Sequence, residues 1–194
     1  MSTTPSNPST PLPNGPIAAK QTTDAHHAVW TLLEAVTDPE IPVVSLREMG
    51  VLRAVREGAD GLLEVVITPT YSGCPAMDQI GDDVRAALAQ AGLKARVVTQ
   101  LAPAWSTEWM TPEGREKLRA YGIAPPPVGT GSACGHSVVQ FATRNIAKSA
   151  RQTVACPQCG SENTTEISHF GSTACKALYK CLDCLEPFDY FKPY

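Results

Sequence analysis

Four cysteines near the end of the chain stand in two CxxC pairs, Cys156-Pro157-Gln158-Cys159-Gly160 and Cys181-Leu182-Asp183-Cys184, with 21 residues between them. Two thiolates separated by two residues can turn onto one ion, and a second such knuckle completes a tetrahedral site of four sulfurs. The interval is slightly longer than is usual, and a β-ribbon between the knuckles would absorb the excess. A pair of disulfides, or two redox-active CxxC motifs, would use the same spacing. The CPxCG form with its glycine matches a closed structural knuckle and favours zinc over an iron–sulfur cluster. The expectation is one zinc ion held by Cys156, Cys159, Cys181 and Cys184.

A fifth thiol has a different setting. Cys74, in Thr68-Pro69-Thr70-Tyr71-Ser72-Gly73-Cys74-Pro75, follows a strand pattern and a glycine-bearing turn, and a helical pattern starts beside it. Unpaired amides and the positive end of a helix dipole there would favour thiolate over thiol. Such a thiolate can ligate a soft metal transiently, accept a persulfide or attack an electrophile. The competing reading is a small hydrophobe that packs. Asp78, one turn into the helix, would oppose a lowered pKa. Asp38-Pro39-Glu40-Ile41-Pro42 puts two carboxylates on a stiff loop. They could supply hard ligands or a general base near Cys74, or they could be solvated acids at a helix stop.

The remaining candidates are weaker. His26 and His27 fall in a first helical turn and are expected at the surface. Cys134 and His136 offer only two ligands. His169 could replace a cysteine, but four thiolates suffice. Cys175 could be a fifth thiol near the metal or a swapped ligand, and packing is the preferred reading. Trp105 and Trp109 fit either an exposed docking surface or a core. No phosphate-binding glycine loop, Ser–His–Asp arrangement or HExxH motif occurs.

The elements that must position these groups follow from the pattern. Residues 1–23, rich in Ser, Thr, Pro and Asn, read as a disordered lead. Asp24 caps a helix with Val29, Leu32, Leu33 and Val36 on one face, and Asp38-Pro39 stops it. Val51 to Arg56 and Leu62 to Thr68 read as a hairpin. A helix starting at Cys74-Pro75 buries Met77, Ile80, Val84 and Leu88 and ends at Gly92. Lys94 to Leu101 reads as a strand and Thr111 to Tyr121 as a short helix. The fold class is therefore α+β, with helices on a short mixed sheet over 24–123. Residues 124–153 form a connector, and 154–194 a metal-bound β-ribbon too short to hold a core without its ion.

A chain of 194 residues admits one ordinary domain and a small one. It has no apolar run near the ~20 residues of a membrane span and no secretory signal pattern. Seven cysteines without an export signal fit a reducing cytoplasm. The net charge is −3, and residues 154–194 carry three lysines against five acids. A zinc-ribbon nucleic-acid binder would need the opposite balance.

Together, the Asp38-Pro39-Glu40 loop, the strand entering Thr68-Pro69-Thr70 and the Cys74-Pro75 helix start resemble the SufT-like iron–sulfur assembly domain. Further runs narrow the likeness: Leu101-Ala102-Pro103-Ala104-Trp105, Thr111-Pro112-Glu113-Gly114-Arg115, and Phe170-Gly171-Ser172-Thr173-Ala174-Cys175-Lys176 with Glu186-Pro187-Phe188-Asp189-Tyr190-Phe191. The set is similar to the D-subunit family of bacterial phenylacetyl-CoA epoxidase systems; the connector with Cys134 departs from it. The resemblance implies a non-catalytic accessory factor that matures metal centres, iron–sulfur or di-iron, in phenylacetate degradation. Cys74 would be the reactive thiol that handles iron or a cluster transiently, with Asp38, Glu40 and Thr70 in support. The partners would be the oxygenase or the flavin and iron–sulfur reductase of that system. A non-catalytic subunit retained in the oxygenase complex is the alternative. Catalysis itself is disfavoured, because the chain has no paired Glu-x-x-His motifs for two irons.

Overall fold

The computed structural model describes residues 24–127 and 153–193. The proposed lead and most of the connector, including Cys134 and His136, lie outside the described residues.

Helix α1 (Asp24–Leu33) turns Val29 and Leu33 inward and is followed by a loop of short turns. Strands β1 (Leu52–Glu57) and β2 (Leu63–Ile67) form the expected antiparallel hairpin. Helix α2 (Met77–Gln90) crosses over to β3 (Ala95–Thr99), which pairs parallel to β2. The sheet order β1-β2-β3 is thus short and mixed, as the pattern implies. Glu64 on the central strand pairs with Arg56 on one neighbour and Arg96 on the other, tying the three strands at one end. A bulge between Leu52 and Ala54 interrupts the ladder at Arg53, whose guanidinium lies 3.4 Å from the Trp109 ring centre.

The α2 boundaries reflect simple chemistry. Ile80, Val84 and Leu88 recur at helical spacing and are buried. Gly92, at φ +72°, takes the left-handed step that ends the helix, and the Leu93 amide reaches back to the Leu88 carbonyl. The start differs from expectation. Ala76 is the N-cap and offers no side-chain cap, so Cys74 lies in the turn before the helix.

A one-turn 3-10 segment at Thr107–Trp109 leads to α3 (Pro112–Ala120), capped by the Thr111 hydroxyl, which accepts the Gly114 amide at 3.1 Å. Trp105 is buried, and its indole N–H donates to the Met49 carbonyl at 3.1 Å, so it closes the core and forms no docking surface. Gly50 lets the 3-10 segment pass close by: at φ +73°, a Cβ there would stand 2.6 Å from the Trp109 carbonyl oxygen.

The tail forms β5 (Thr164–Ser168), β6 (Lys176–Cys181) and β7 (Pro187–Phe191), paired antiparallel in that order. The sheet does not stop there. Strand β4 (Ile123–Ala124), which directly follows α3, pairs parallel to β7, giving the order β4-β7-β6-β5. Phe191 is 1% exposed within the core of the first region, with its ring 5.9 Å from that of Trp105. A fully buried aromatic or aliphatic side chain contributes about 1.5–3 kcal/mol, so the ribbon is welded to its neighbour through more than a linker.

Candidate functional site

Two groups of thiols stand out. In the first, the knuckles are shaped by backbone bonds. The Gly160 amide donates to the Cys156 carbonyl and the Cys156 amide to the Ser161 carbonyl, both at 2.9 Å. Gly160, at φ +76°, supplies the reversal. Asp183 accepts from Ser161 and from the Asn163 amide group, which locks one knuckle against the other. The result gathers the Cys156, Cys159, Cys181 and Cys184 sulfurs within 4.8 Å of one another.

The spacings fit zinc. A tetrahedron with Zn–S bonds of about 2.3 Å has S···S edges of about 3.8 Å. The Cys156–Cys184 and Cys159–Cys181 separations are 3.7 and 3.6 Å, far beyond a disulfide bond. The Cys184 amide points at the Cys181 sulfur at 3.4 Å, a bond that favours thiolate and lowers the Cys181 pKa. Cys184 moves the other way: its contact with the Glu186 amide is outweighed by burial and the neighbouring thiols. Four thiols this close cannot all ionise alone, and a divalent cation supplies the charge that lets them. His169 stands apart, exposed, with Nδ1 3.4 Å from Glu166.

The second group surrounds Cys74. The Thr68 amide donates to the Val51 carbonyl, anchoring the end of β2, and the Cys74 amide closes a turn onto the Tyr71 carbonyl at 3.2 Å. From the loop after α1, the Asp38 carboxylate accepts the Glu40 and Ile41 amides at 2.8 and 3.0 Å. These segments meet at a small cavity of about 30 Å³, lined by Asp38, Glu40, Thr70, Cys74, Cys175 and Phe191 among others. All four residues singled out in this region of the sequence therefore border one space. Cys175 does pack against the first core, but it also faces this cavity, which the sequence did not reveal.

The electrostatics of Cys74 differ from expectation. Half-burial pushes its thiol up from the ordinary value. The Ala76 amide opposes the rise, and negative charge on Cys175, Asp38 and Glu40 adds to it. Cys74 stands in the turn before α2, and desolvation outweighs the Ala76 amide there. Burial likewise raises the Asp38 carboxyl and the Cys175 thiol, with the Thr173 hydroxyl, 3.0 Å from the Cys175 sulfur, acting against the latter. A cavity whose acids raise one another favours a cationic guest over an electrophile awaiting a free thiolate. Lys176, the nearby cation, is turned to Asp189 at 3.4 Å. Among the described residues no helix is long and apolar enough to cross a membrane.

Comparison with known proteins matches these two regions separately. Residues 26–99 match the family model described as iron–sulfur cluster assembly protein, and residues 142–192 match the PaaD zinc beta ribbon domain. An Escherichia coli (strain K12) protein, the D subunit of a "Putative 1,2-phenylacetyl-CoA epoxidase" by name, is 47% identical over 167 residues, covering 86% of this chain and 92% of its own length. A Porphyromonas gingivalis protein named as an Fe-S protein maturation auxiliary factor is 36% identical over 89 residues, 45% of this chain and 84% of that one. A crystal structure of a domain of unknown function from Bacillus anthracis is 28% identical, with a TM-score of 0.44 over 48% of this chain and 90% of its own. An assembly-type domain fused to a four-thiol ribbon, with identity running through both, makes this chain a member of the D-subunit family of phenylacetyl-CoA epoxidases.

Proposed function

We propose that this protein is a non-catalytic maturation factor for a metal centre of a phenylacetyl-CoA epoxidase system, acting in the cytoplasm on the oxygenase or the reductase. The observation that carries the reading is the cavity at which Cys74 meets Asp38, Glu40 and Thr70. The names of the relatives point the same way, towards iron–sulfur maturation on one side and the epoxidase on the other. In this reading Cys74 holds iron or a cluster in transit, and Asp38, Glu40 and Thr70 shape its surroundings. The ribbon zinc stays in place, and neither nucleic acid nor membrane is a partner. Of the two clients the reductase is preferred, since a thiolate suits a sulfur-ligated cluster better than a carboxylate-rich di-iron site.

A second reading is favoured by one observation, the relative's name as part of an epoxidase: a non-catalytic component retained in the oxygenase complex. Iron and sulfide contents of oxygenase and reductase, purified from cells with and without this protein, separate the two. Maturation leaves the client short of metal, and Cys74→Ala reproduces the loss although the folded protein persists. Normal metal in both components, with activity restored by adding this protein at fixed stoichiometry, establishes the retained-component reading and overturns maturation.

A further inference from the structure

Cys175 is held in place from several sides. The turn from Gly171 enters β6 with the Gly171 amide on the Lys176 carbonyl at 2.8 Å and the Lys176 amide on the Thr173 carbonyl at 3.1 Å. From the far side of the ribbon, the Lys192 amide donates to the Cys175 carbonyl itself at 3.0 Å. These bonds hold the second thiol over the cavity that Cys74 borders from the assembly-type domain, with Phe191 between the two regions. Cys175 lies outside the four-sulfur cluster, so zinc makes no use of it.

The cavity's size limits what it can take. About 30 Å³ holds one ion or a water or two, whereas organic ligands need hundreds of cubic ångströms. The residues lining it that could donate include two thiols, Cys74 and Cys175, the Asp38 and Glu40 carboxylates and the Thr70 hydroxyl. Mixed soft and hard donors suit a borderline divalent cation such as ferrous iron or zinc, and suit magnesium or calcium poorly. Among the described residues only the tail cysteines already converge within one ligand sphere. The cavity donors do not converge in this way, so an ion there would require them to close around it.

We propose that Cys74 and Cys175 form a composite two-thiol site for one borderline divalent cation, with Asp38 as a further donor, so that the ribbon supplies a ligand to the assembly-type domain. The inference rests on the reading of Cys74 as a metal-handling thiol and assigns it a partner. It also gives the zinc a purpose beyond folding the tail: by fixing β6 and β7 it fixes Cys175.

The test uses the full chain in a Cys134→Ser background, loaded with one zinc and titrated with ferrous iron alone in the absence of oxygen. Zinc outranks ferrous iron at a thiolate site, so the ribbon keeps its ion and bound iron reports the second site. One iron per chain is expected, with affinity falling at least tenfold in Cys74→Ser and in Cys175→Ser while zinc content and thermal midpoint hold. Unchanged affinity in Cys175→Ser alongside loss in Cys74→Ser overturns the composite site and leaves maturation standing. Unchanged affinity in both removes the metal-handling role of Cys74 as well. A parent protein that binds no iron overturns the composite site, while the client's iron content still judges maturation. Iron-dependent protection from alkylation, read on Cys74 and Cys175 by mass spectrometry, needs no variant of either thiol. Joint protection supports the site, and protection of Cys74 alone overturns it.

Discussion

The two thiol groups of this molecule use the same element in opposite ways. In the tail, four sulfurs arrive on two tight knuckles from one small sheet, already within 4.8 Å of one another and braced by Asp183 across the knuckles. At the cavity, donors come from three segments far apart in sequence, around Asp38, Cys74 and Cys175, and they mix sulfur with oxygen. A preformed shell of four thiolates needs little rearrangement to close and releases its ion slowly. A loose shell of mixed donors must reorganise to bind, so it can also let go. On the proposed reading, permanence and transfer would thus be separated within one chain, with β7 and Phe191 joining the two regions.

The sharpest way to break this arrangement is to remove the zinc. Structural zinc contributes about 10–16 kcal/mol in small metal-folded domains. Cys159→Ser is therefore expected to lose the ion and melt β5 to β7. Because Phe191 leaves the first core with them, the thermal midpoint of the assembly-type domain should fall too. Zinc analysis with circular dichroism during heating reads both. Full zinc retention would remove Cys159 from the ligand set, and an unmoved first domain would show the weld to be idle.

Phe191→Ala tests the weld directly while leaving every cysteine in place. Truncating a fully buried phenylalanine costs about 3–5 kcal/mol, including the cavity it leaves. Urea unfolding should show a loss of that size with zinc still bound, together with weaker iron binding at the Cys74 cavity. A loss in the tail alone would mean that the two regions unfold independently.

What the sequence concealed follows the same division. The hairpin, α2, α3 and the zinc knuckles were legible because each is set by residues close in the chain: alternation, helical spacing, the Thr111 cap, Cys-x-x-Cys. The pairing of β4 with β7 joins Ile123 to Asp189, and the approach of Cys175 to the Cys74 cavity spans about a hundred residues. No local pattern carries either. The rise in the Cys74 pKa is likewise out of reach of any local pattern. The nearby helix start is local and visible, whereas burial is set by the fold, and the charge that adds to it comes partly from Cys175 of the distant ribbon. The run Gly171-Ser172-Thr173-Ala174-Cys175-Lys176 was the available signal, a dense motif in the tail that zinc binding leaves unexplained.

That burial makes a kinetic prediction. With its thiol raised above the ordinary 9.0, Cys74 should alkylate more slowly at pH 7 in the folded protein than in the chain unfolded in urea, and its rate should still climb above pH 9. The stability linked to it has a matching sign. The folded state holds the proton more tightly, so stability is undiminished below the unfolded pKa and falls as pH rises through the folded one, in the alkaline range above 9. Mass spectrometry after graded alkylation checks the rates. A Cys74 that reacts faster in the folded protein than in the unfolded chain at pH 6 to 7 would restore the thiolate activated by the helix terminus and contradict the charge argument for the cavity.

The smallest expected effect separates the two roles of Asp38. Its carboxylate accepts the Glu40 and Ile41 amides, and an asparagine oxygen can do the same, so Asp38→Asn should keep the turn. Burial raises the Asp38 pKa, which means that protonation favours the fold. That contribution is complete below the ordinary carboxylate value of 3.8 and disappears as pH rises through the folded pKa, leaving an ion in an unfavourable place. The neutral amide of the variant carries no such charge. The variant should therefore gain modestly on the parent as pH rises from about 4 to 7, in measurements with the cavity free of metal. Iron affinity should move the other way and weaken, because a neutral amide is a poorer donor to a divalent cation than a carboxylate. Denaturation across that pH range, paired with the ferrous titration, reads both. A variant that loses stability at every pH while binding iron as the parent does would make Asp38 a turn residue alone, and leave the cavity with sulfur as its only charged donors besides Glu40.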